Sequence, residues 1–327
     1  MKRDPTIELF RVLLMFGICL LHVQTAAGGG RLTSVLVSCV PGFVMISGWF
    51  GIRFSWRKIF MLYGVAVYAS LVIPLVGGVW TPSAYWREAL RLWNVRLDSV
   101  SPSGFWFLHA YAVMSVLAIP VEMVLEGELT REKARRLRQI SVPVLIVVFG
   151  WGFLTKFNAL APLVPTVNGL QAFSPITLFA SYLVGRNLVV WEKLNGKVRW
   201  KLSAVCFLVS FTLLAVAKTY LCGYNSLVSV VLAVSAFLLF REIRVPERFG
   251  KVILLISPSM FAVYLIHTHM YWVGMDHLYM IFGREVLSAL SPHLGAAGAV
   301  GITSVIVFCC ALALDLPRRI VGSRRSD

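Results

Sequence analysis

Charged side chains are scarce in this sequence. Only 14% of its 327 residues are charged, whereas 58% are hydrophobic. A soluble domain carries roughly a quarter charged residues, because its surface faces water. Together with a mean hydropathy of +0.78, this scarcity excludes an ordinary soluble fold. We therefore expect a chain solvated by lipid, and we interpret residues 1–327 as one integral membrane domain.

Loops that carry a pair of cysteines are also lacking, and so is a glycine-rich phosphate loop. The six cysteines lie in or at the ends of apolar stretches, and none has the spacing of a zinc site. The glycine run Gly28-Gly29-Gly30 fits no nucleotide-binding signature. We expect the cysteines to be small packing residues, and we expect no metal.

Long apolar runs, in contrast, are abundant. A helix needs about twenty largely apolar residues to cross hydrocarbon, because its backbone polar groups must be paired internally. The first run could be mistaken for a signal peptide, but Glu8 and Arg11 interrupt that pattern. The sequence predicts an all-α membrane bundle of about ten transmembrane helices, near residues 6–26, 33–52, 59–79, 104–124, 140–157, 170–190, 202–222, 225–240, 252–273 and 295–316.

The basic residues are concentrated on one side of this arrangement. The net charge of +16 would point to nucleic acid in a soluble protein. Here 23 Lys and Arg residues fall on the N-terminal side of the membrane and 6 on the other. Because positive loops stay in the cytoplasm, both termini are predicted to be cytoplasmic, and no nucleic acid partner is needed. The 23 lie in segments 1–5, 53–58, 125–139, 186–201, 241–251 and 317–327.

The first predicted span contains three ionisable residues, Glu8, Arg11 and His22. Such residues are costly in a membrane and are functional candidates by default. Glu8 and Arg11 are three apart and can pair on one helix face. His22 follows Arg11 by three turns, about 16 Å along the same face. The alternative is structural: Arg11 reaches lipid phosphates and His22 caps the helix at the interface.

Histidines are concentrated toward the outer side of the predicted bundle. Four of the six (His22, His109, His267 and His269) fall in the outer halves of three spans. Imidazole is the side chain best suited to take a proton from a hydroxyl near neutral pH. A metal site is the weaker interpretation, because no Asp or Glu lies beside these histidines in the spans.

Four short motifs follow one another along the chain: Glu8, Arg11 and His22 in the first span, Ser47-Gly48 in the second, and the later elements Trp106-Phe107-Leu108 and Tyr264-Leu265-Ile266-His267. Taken together, they resemble the membrane-bound acyltransferase family 3, whose bacterial members O-acetylate glycans. One departure is Phe60, at a place where many members carry a second arginine.

The resemblance implies a donor site and a reaction. The donor would be cytoplasmic acetyl-CoA, and its phosphates would lie against cations. His22 would act as general base on the acceptor hydroxyl, with Glu8 holding Arg11 in place. An acyl-histidine intermediate is the other route. The expected donor-site residues are Arg11, Arg57, Lys58 and Ser47.

The acceptor implied by the resemblance is a hydroxyl of a cell-envelope glycan, and the location is the bacterial cytoplasmic membrane. Trp106, His109 and Tyr111 would shape the acceptor pocket, and His267 would orient either His22 or the acceptor. The rival from another class is a transporter or flippase for a lipid-linked glycan, with the buried His, Arg and Glu as a proton relay. Acetyl versus another short acyl group stays open, as does the oligomeric state.

Overall fold

The computed structural model describes residues 3–76, 81–91, 93, 105–155, 173–217, 221–272 and 280–323. Helices account for 84% of the described residues, and no strand occurs among them. The predicted all-α membrane fold class is therefore confirmed.

The described chain forms fourteen helical segments, and the last of them consists of two helices that meet at a kink at Gly295. The first seven are α1 (Pro5–Ala26), α2 (Arg31–Leu36), α3 (Cys39–Phe50), α4 (Trp56–Val76), α5 (Pro82–Arg91), α6 (Trp106–Leu117) and α7 (Ile119–Val124). The others are α8 (Arg131–Leu154), α9 (Pro175–Asn195), α10 (Trp200–Ala217), α11 (Leu227–Phe240), α12 (Glu247–Ile256), α13 (Met260–Trp272) and α14 (Met280–Ser323). A 3₁₀ turn, Ser257–Ser259, joins α12 to α13.

Local sequence signals explain where several helices begin. The Asp4 carboxylate accepts a hydrogen bond from the Thr6 backbone N–H at 2.9 Å, and Pro5 opens α1. Thr130 caps α8 and Ser174 caps α9 in the same way. Short polar side chains at these positions pair backbone N–H groups that have no partner inside the helix. Proline is tolerated in a first turn because that turn needs no N–H donor.

Each of the ten predicted spans overlaps a helix or two consecutive helices. Seven of the segments found in the described residues are long and apolar enough to cross a membrane, and α10 and α11 are shorter apolar helices. The count of about ten and the cytoplasmic placement of both termini stay predictions. Helix α5 lies between the predicted spans 59–79 and 104–124, where no helix was predicted. Helix α8 begins nine residues before its predicted span.

The core is organised around α1 and a close contact between α3 and α9. Helix α1 packs on α3, α12, α13 and α14, so it lies inside the bundle. A Cβ atom at Gly48 would collide with the Tyr182 carbonyl oxygen, and one at Gly185 would collide with that of Met45. Small residues at such points let helix backbones approach each other within a membrane. This contact fixes α3, and with it Ser47, against α9.

Candidate active site

The structure brings together two histidines that are far apart in the sequence. His22, near the end of α1, lies against His267 of α13, with 2.9 Å between Nδ1 of His22 and Nε2 of His267. Their rings are 5.0 Å apart between centroids and nearly parallel. His267 is only 1% exposed, and Tyr264 packs edge-on against it at 5.9 Å. His22 is half-buried.

A backbone carbonyl sets the direction of the hydrogen bond between the two rings. Nδ1 of His267 lies 2.7 Å from the Val263 carbonyl oxygen, one turn earlier in α13. Since a carbonyl oxygen only accepts, Nδ1 of His267 is the donor and Nε2 of the neutral ring is the acceptor. Nδ1 of His22 therefore donates to it. When both rings are neutral, the nitrogen of His22 that lacks a proton is Nε2, and it can act as a base.

We call Glu8, Arg11 and His22 the stripe on α1. Its end away from His22 carries an ion pair. Glu8 accepts from the Arg11 guanidinium at 2.7 and 2.8 Å. The Glu8 residue is 3% exposed, whereas the Arg11 side chain is 25% exposed. A buried carboxylate needs such a partner, because desolvating an unpaired charge is costly. Glu8 therefore holds Arg11, as predicted from their spacing.

Arg11 lines a cavity of about 480 Å³ whose wall combines cationic and apolar side chains. Cationic side chains are present, and no acidic residue of the described chain lines it. Aromatic and aliphatic side chains cover much of the remaining wall. The cations are Arg3, Arg11, Arg53 and Lys58, and the apolar lining includes Phe43, Leu62, Phe107, Met260 and Phe261.

Two predicted site residues from different helices meet on the wall of this cavity. Ser47 of α3 and Tyr111 of α6 both line it, and the Tyr111 hydroxyl lies 3.4 Å from Ser47 Oγ. Ser47 faces the cavity because its neighbour Gly48 takes up the contact with α9. The Ser-Gly motif thus combines a polar wall residue with the small residue that the helix packing requires.

The loop between α3 and α4 forms one edge of the cavity. Gly51 opens it with a φ of +78°, a conformation that favours glycine. A Cβ atom at Gly51 would lie 2.9 Å from Glu122 Oε2. Glu122 of α7 binds Arg186 of α9, with 3.0 Å between Oε1 and Nε, and also contacts the Tyr182 hydroxyl. This cluster backs the loop that carries Arg53 and leads into α4, whose first turn carries Lys58.

Other predicted site residues lie elsewhere. His109 is hydrogen-bonded through Nδ1 to the Tyr63 hydroxyl at 2.9 Å, and its ring faces Trp93. Trp106 is 4% exposed and stacks on Tyr224, with 6.1 Å between centroids. The structure thus places these two residues in aromatic clusters. Arg57 is exposed and is not part of the cavity lining, unlike its neighbour Lys58. Their predicted roles stay predictions.

The sequence reasoning missed several residues of this site. Arg3 and Arg53 line the cavity, but in the sequence they are indistinguishable from other basic loop residues. Val263 gave no signal because it contributes only its carbonyl oxygen. No cluster of three or more His, Cys, Asp or Glu side chains able to hold a metal occurs in the described part of the chain.

Comparison with known proteins gives one result. The model of acyltransferase family 3, described as an acyltransferase domain, matches residues 4–314, nearly the whole chain. No curated protein and no solved structure matches. The family match covers every residue of the histidine pair and all the cavity cations except Arg3.

Proposed function

This chain belongs to acyltransferase family 3 and is a multi-pass membrane protein, and on that basis we propose what it transfers, from which donor and to which acceptor. It moves a short acyl group, in the first instance acetyl, from cytoplasmic acyl-CoA to a hydroxyl of a cell-envelope glycan. The membrane is the bacterial cytoplasmic membrane. The observation that carries the proposal is the hydrogen-bond chain from His22 through His267 to the Val263 carbonyl oxygen. His22 lies on α1, and the same helix contributes Arg11 to the cationic cavity.

The cavity supports CoA as the donor. A CoA thioester combines a phosphorylated nucleotide with an uncharged, extended arm. Guanidinium and ammonium groups are the usual partners of phosphate, and Arg3, Arg11, Arg53 and Lys58 supply four. The apolar wall at Phe43, Phe107 and Met260 suits the uncharged arm and the acyl group.

The histidine pair supports general base catalysis. Nε2 of His22 takes the proton from the acceptor hydroxyl, and the oxygen attacks the thioester carbonyl carbon. The C–S bond then breaks, and the CoA thiolate recovers the proton from His22. His267 orients the His22 ring and stabilises the positive charge that the ring acquires. Along α1, His22 lies about 16 Å beyond Arg11, so a donor held by its phosphates at Arg11 reaches His22 only when extended.

An acyl-histidine intermediate is the second route for the same residues. His22 Nε2 would then attack the thioester itself, and the acceptor would take the acyl group in a second step. Incubation with labelled acetyl-CoA without acceptor separates the routes, because only the second leaves label on the peptide that contains His22.

The transporter alternative is not favoured by the family match. A flippase would also use buried ionisable residues, but it would not consume acyl-CoA. Dependence on acyl-CoA therefore distinguishes the two classes.

The test uses membranes that contain the protein, supplied with acetyl-CoA labelled on the acetyl group. We expect label to enter glycan with the wild-type protein. With His22→Ala, we expect transfer to fall by about 100-fold or more. His293→Ala is the matched control, because His293 is an exposed imidazole on α14, and it should leave transfer unchanged.

Transfer that persists undiminished in His22→Ala would remove the catalytic role of that histidine. Failure of the wild-type protein to bind or consume acetyl-CoA at all would remove the proposed donor. Binding of labelled acetyl-CoA to purified protein, which needs no acceptor, separates these two outcomes.

A further inference from the structure

The cavity and the histidine pair do not meet in this structure. Met260 and Phe261 of α13 line the cavity, whereas His267 lies six residues beyond Phe261, about 9 Å along the helix axis. Among the described residues that line the cavity, neither histidine appears. The thioester must cross this interval before it reaches His22.

One pair of aromatic rings occupies the interval. Phe107 of α6 lines the cavity, and its ring lies 5.0 Å from that of Tyr264 of α13. Tyr264 in turn packs on His267, and it does not appear in the cavity lining. Both Phe107 and Tyr264 are 3% exposed. The rings therefore form a continuous series from the cavity wall through Phe107 and Tyr264 to the histidine pair.

We propose that the Phe107–Tyr264 contact is a gate that determines whether the thioester reacts with the acceptor hydroxyl or with water. In the closed state the rings separate the cavity, which has water-exposed cations at its edge, from the histidine pair. The acyl-bearing arm displaces the Phe107 ring and takes its place, so the opening stays filled. This inference rests on the proposed acyl transfer and adds two specificity-determining residues to it.

Two observations favour a ring that can move. The side chain of Phe107 borders a cavity, so it has space on one side into which it can rotate. Helix α6 packs mainly on α9, so rotation of this ring leaves its main helix contact in place. The apolar arm that takes the place of the Phe107 ring restores apolar contacts that the ring gives up, so donor binding can drive the opening.

The reaction that the gate suppresses is thioester hydrolysis. Water adds its oxygen to the carbonyl carbon, the C–S bond breaks, and the sulfur takes a proton. The products are a carboxylic acid and CoA. His22 would assist this reaction as readily as transfer, because a water O–H is as accessible to a base as a sugar O–H. Exclusion of water is therefore the means by which such a site favours transfer.

The experiment measures CoA release from acetyl-CoA by purified protein without acceptor, and the share of acetyl that enters glycan when acceptor membranes are present. With Phe107→Ala we expect at least tenfold faster CoA release without acceptor, and a smaller share of acetyl in glycan. Tyr264→Ala removes the other ring of the contact and should also raise CoA release without acceptor. Phe207→Ala in α10 is the matched control, because it removes a partly buried ring that stacks on Phe211 and does not line the cavity, and it should release CoA at the wild-type rate.

Monodisperse elution in size exclusion and binding of labelled CoA establish that each variant is folded. A folded Phe107→Ala protein whose CoA release does not rise would overturn the gate. If that variant does not fold, Phe107→Leu decides, with an expected rise of a few-fold and the same criterion. If wild-type transfer depends on His22 while Phe107 has no effect on hydrolysis, the gate alone fails. If the wild type consumes no acyl-CoA, the proposed function fails and the gate with it.

Discussion

The two ends of the stripe on α1 use different physical means. At one end, Arg11 is partly exposed, paired with Glu8, and accompanied by the cavity cations Arg3, Arg53 and Lys58. At the other end, His22 is held through a hydrogen-bond chain that ends at a backbone carbonyl, next to a fully buried His267. Each exposed charge contributes only part of the binding free energy of a charged ligand, and salt screens that contribution. A buried hydrogen-bond chain depends on every member.

This difference predicts that substitutions at the two ends have different kinetic effects. Loss of a cation at the Arg11 end should weaken donor binding and raise KM. Loss of a member of the hydrogen-bond chain at the His22 end should lower kcat with little change in KM. The predictions below test this separation, and they run from the largest expected effect to the smallest.

The strongest test is His267→Ala. The variant removes the acceptor that holds Nδ1–H of His22, so the ring loses its orientation and its tautomer is no longer fixed. We expect kcat to fall by about 100-fold with KM for acyl-CoA nearly unchanged. His267→Gln supplies an oxygen acceptor at a similar reach and should recover part of the rate. Equal losses in the two variants would contradict a positioning role for His267.

Gly48→Ala tests the contact between α3 and α9, which positions Ser47 on the wall of the cavity. The added methyl meets the Tyr182 carbonyl oxygen, so α3 and α9 must separate. We expect a loss of about 1–3 kcal/mol in stability, measured as a lower midpoint of thermal unfolding in detergent. Gly64→Ala in α4 is the control, because a Cβ atom there meets no neighbour. An unchanged midpoint in Gly48→Ala would show that the contact adjusts without cost.

Arg11→Gln removes the cation at the point where the stripe meets the cavity. We expect about a tenfold rise in KM for acyl-CoA and a smaller change in kcat. Arg318→Gln is the matched control, because Arg318 also pairs with a buried carboxylate, Asp315, three residues earlier but does not line the cavity. It should destabilise the protein without raising KM. If both variants raise KM alike, Arg11 acts through stability alone.

The smallest effects are expected at the cavity edge. Lys58→Gln should raise KM about two- to fivefold and weaken the dependence of KM on salt, because one exposed cation is lost. Its neighbour Arg57 is outside the cavity lining, so Arg57→Gln should change neither quantity. A larger effect at Arg57 than at Lys58 would support the sequence-based assignment of Arg57 to the donor site.

Much of the fold followed from the sequence because lipid imposes a strong constraint on composition. Every span predicted from apolar length overlaps a helix, and the pairing of Glu8 with Arg11 followed from helix geometry alone. Helix α5 was not predicted, since its ten residues are too short and too polar to resemble a span. The early start of α8 was missed for a related reason, because its first turns are charged.

The sequence by itself determined the all-α membrane class and the pairing of Glu8 with Arg11 on α1, because each depends on residues close together in the chain. Only the tertiary structure decided that His22 meets His267, 245 residues away, and that Arg53 rather than Arg57 lines the cavity. It also placed His109 with Tyr63 and Trp106 with Tyr224. Such contacts depend on how helices pack against one another, and the local periodicity of a single helix carries no record of its neighbours.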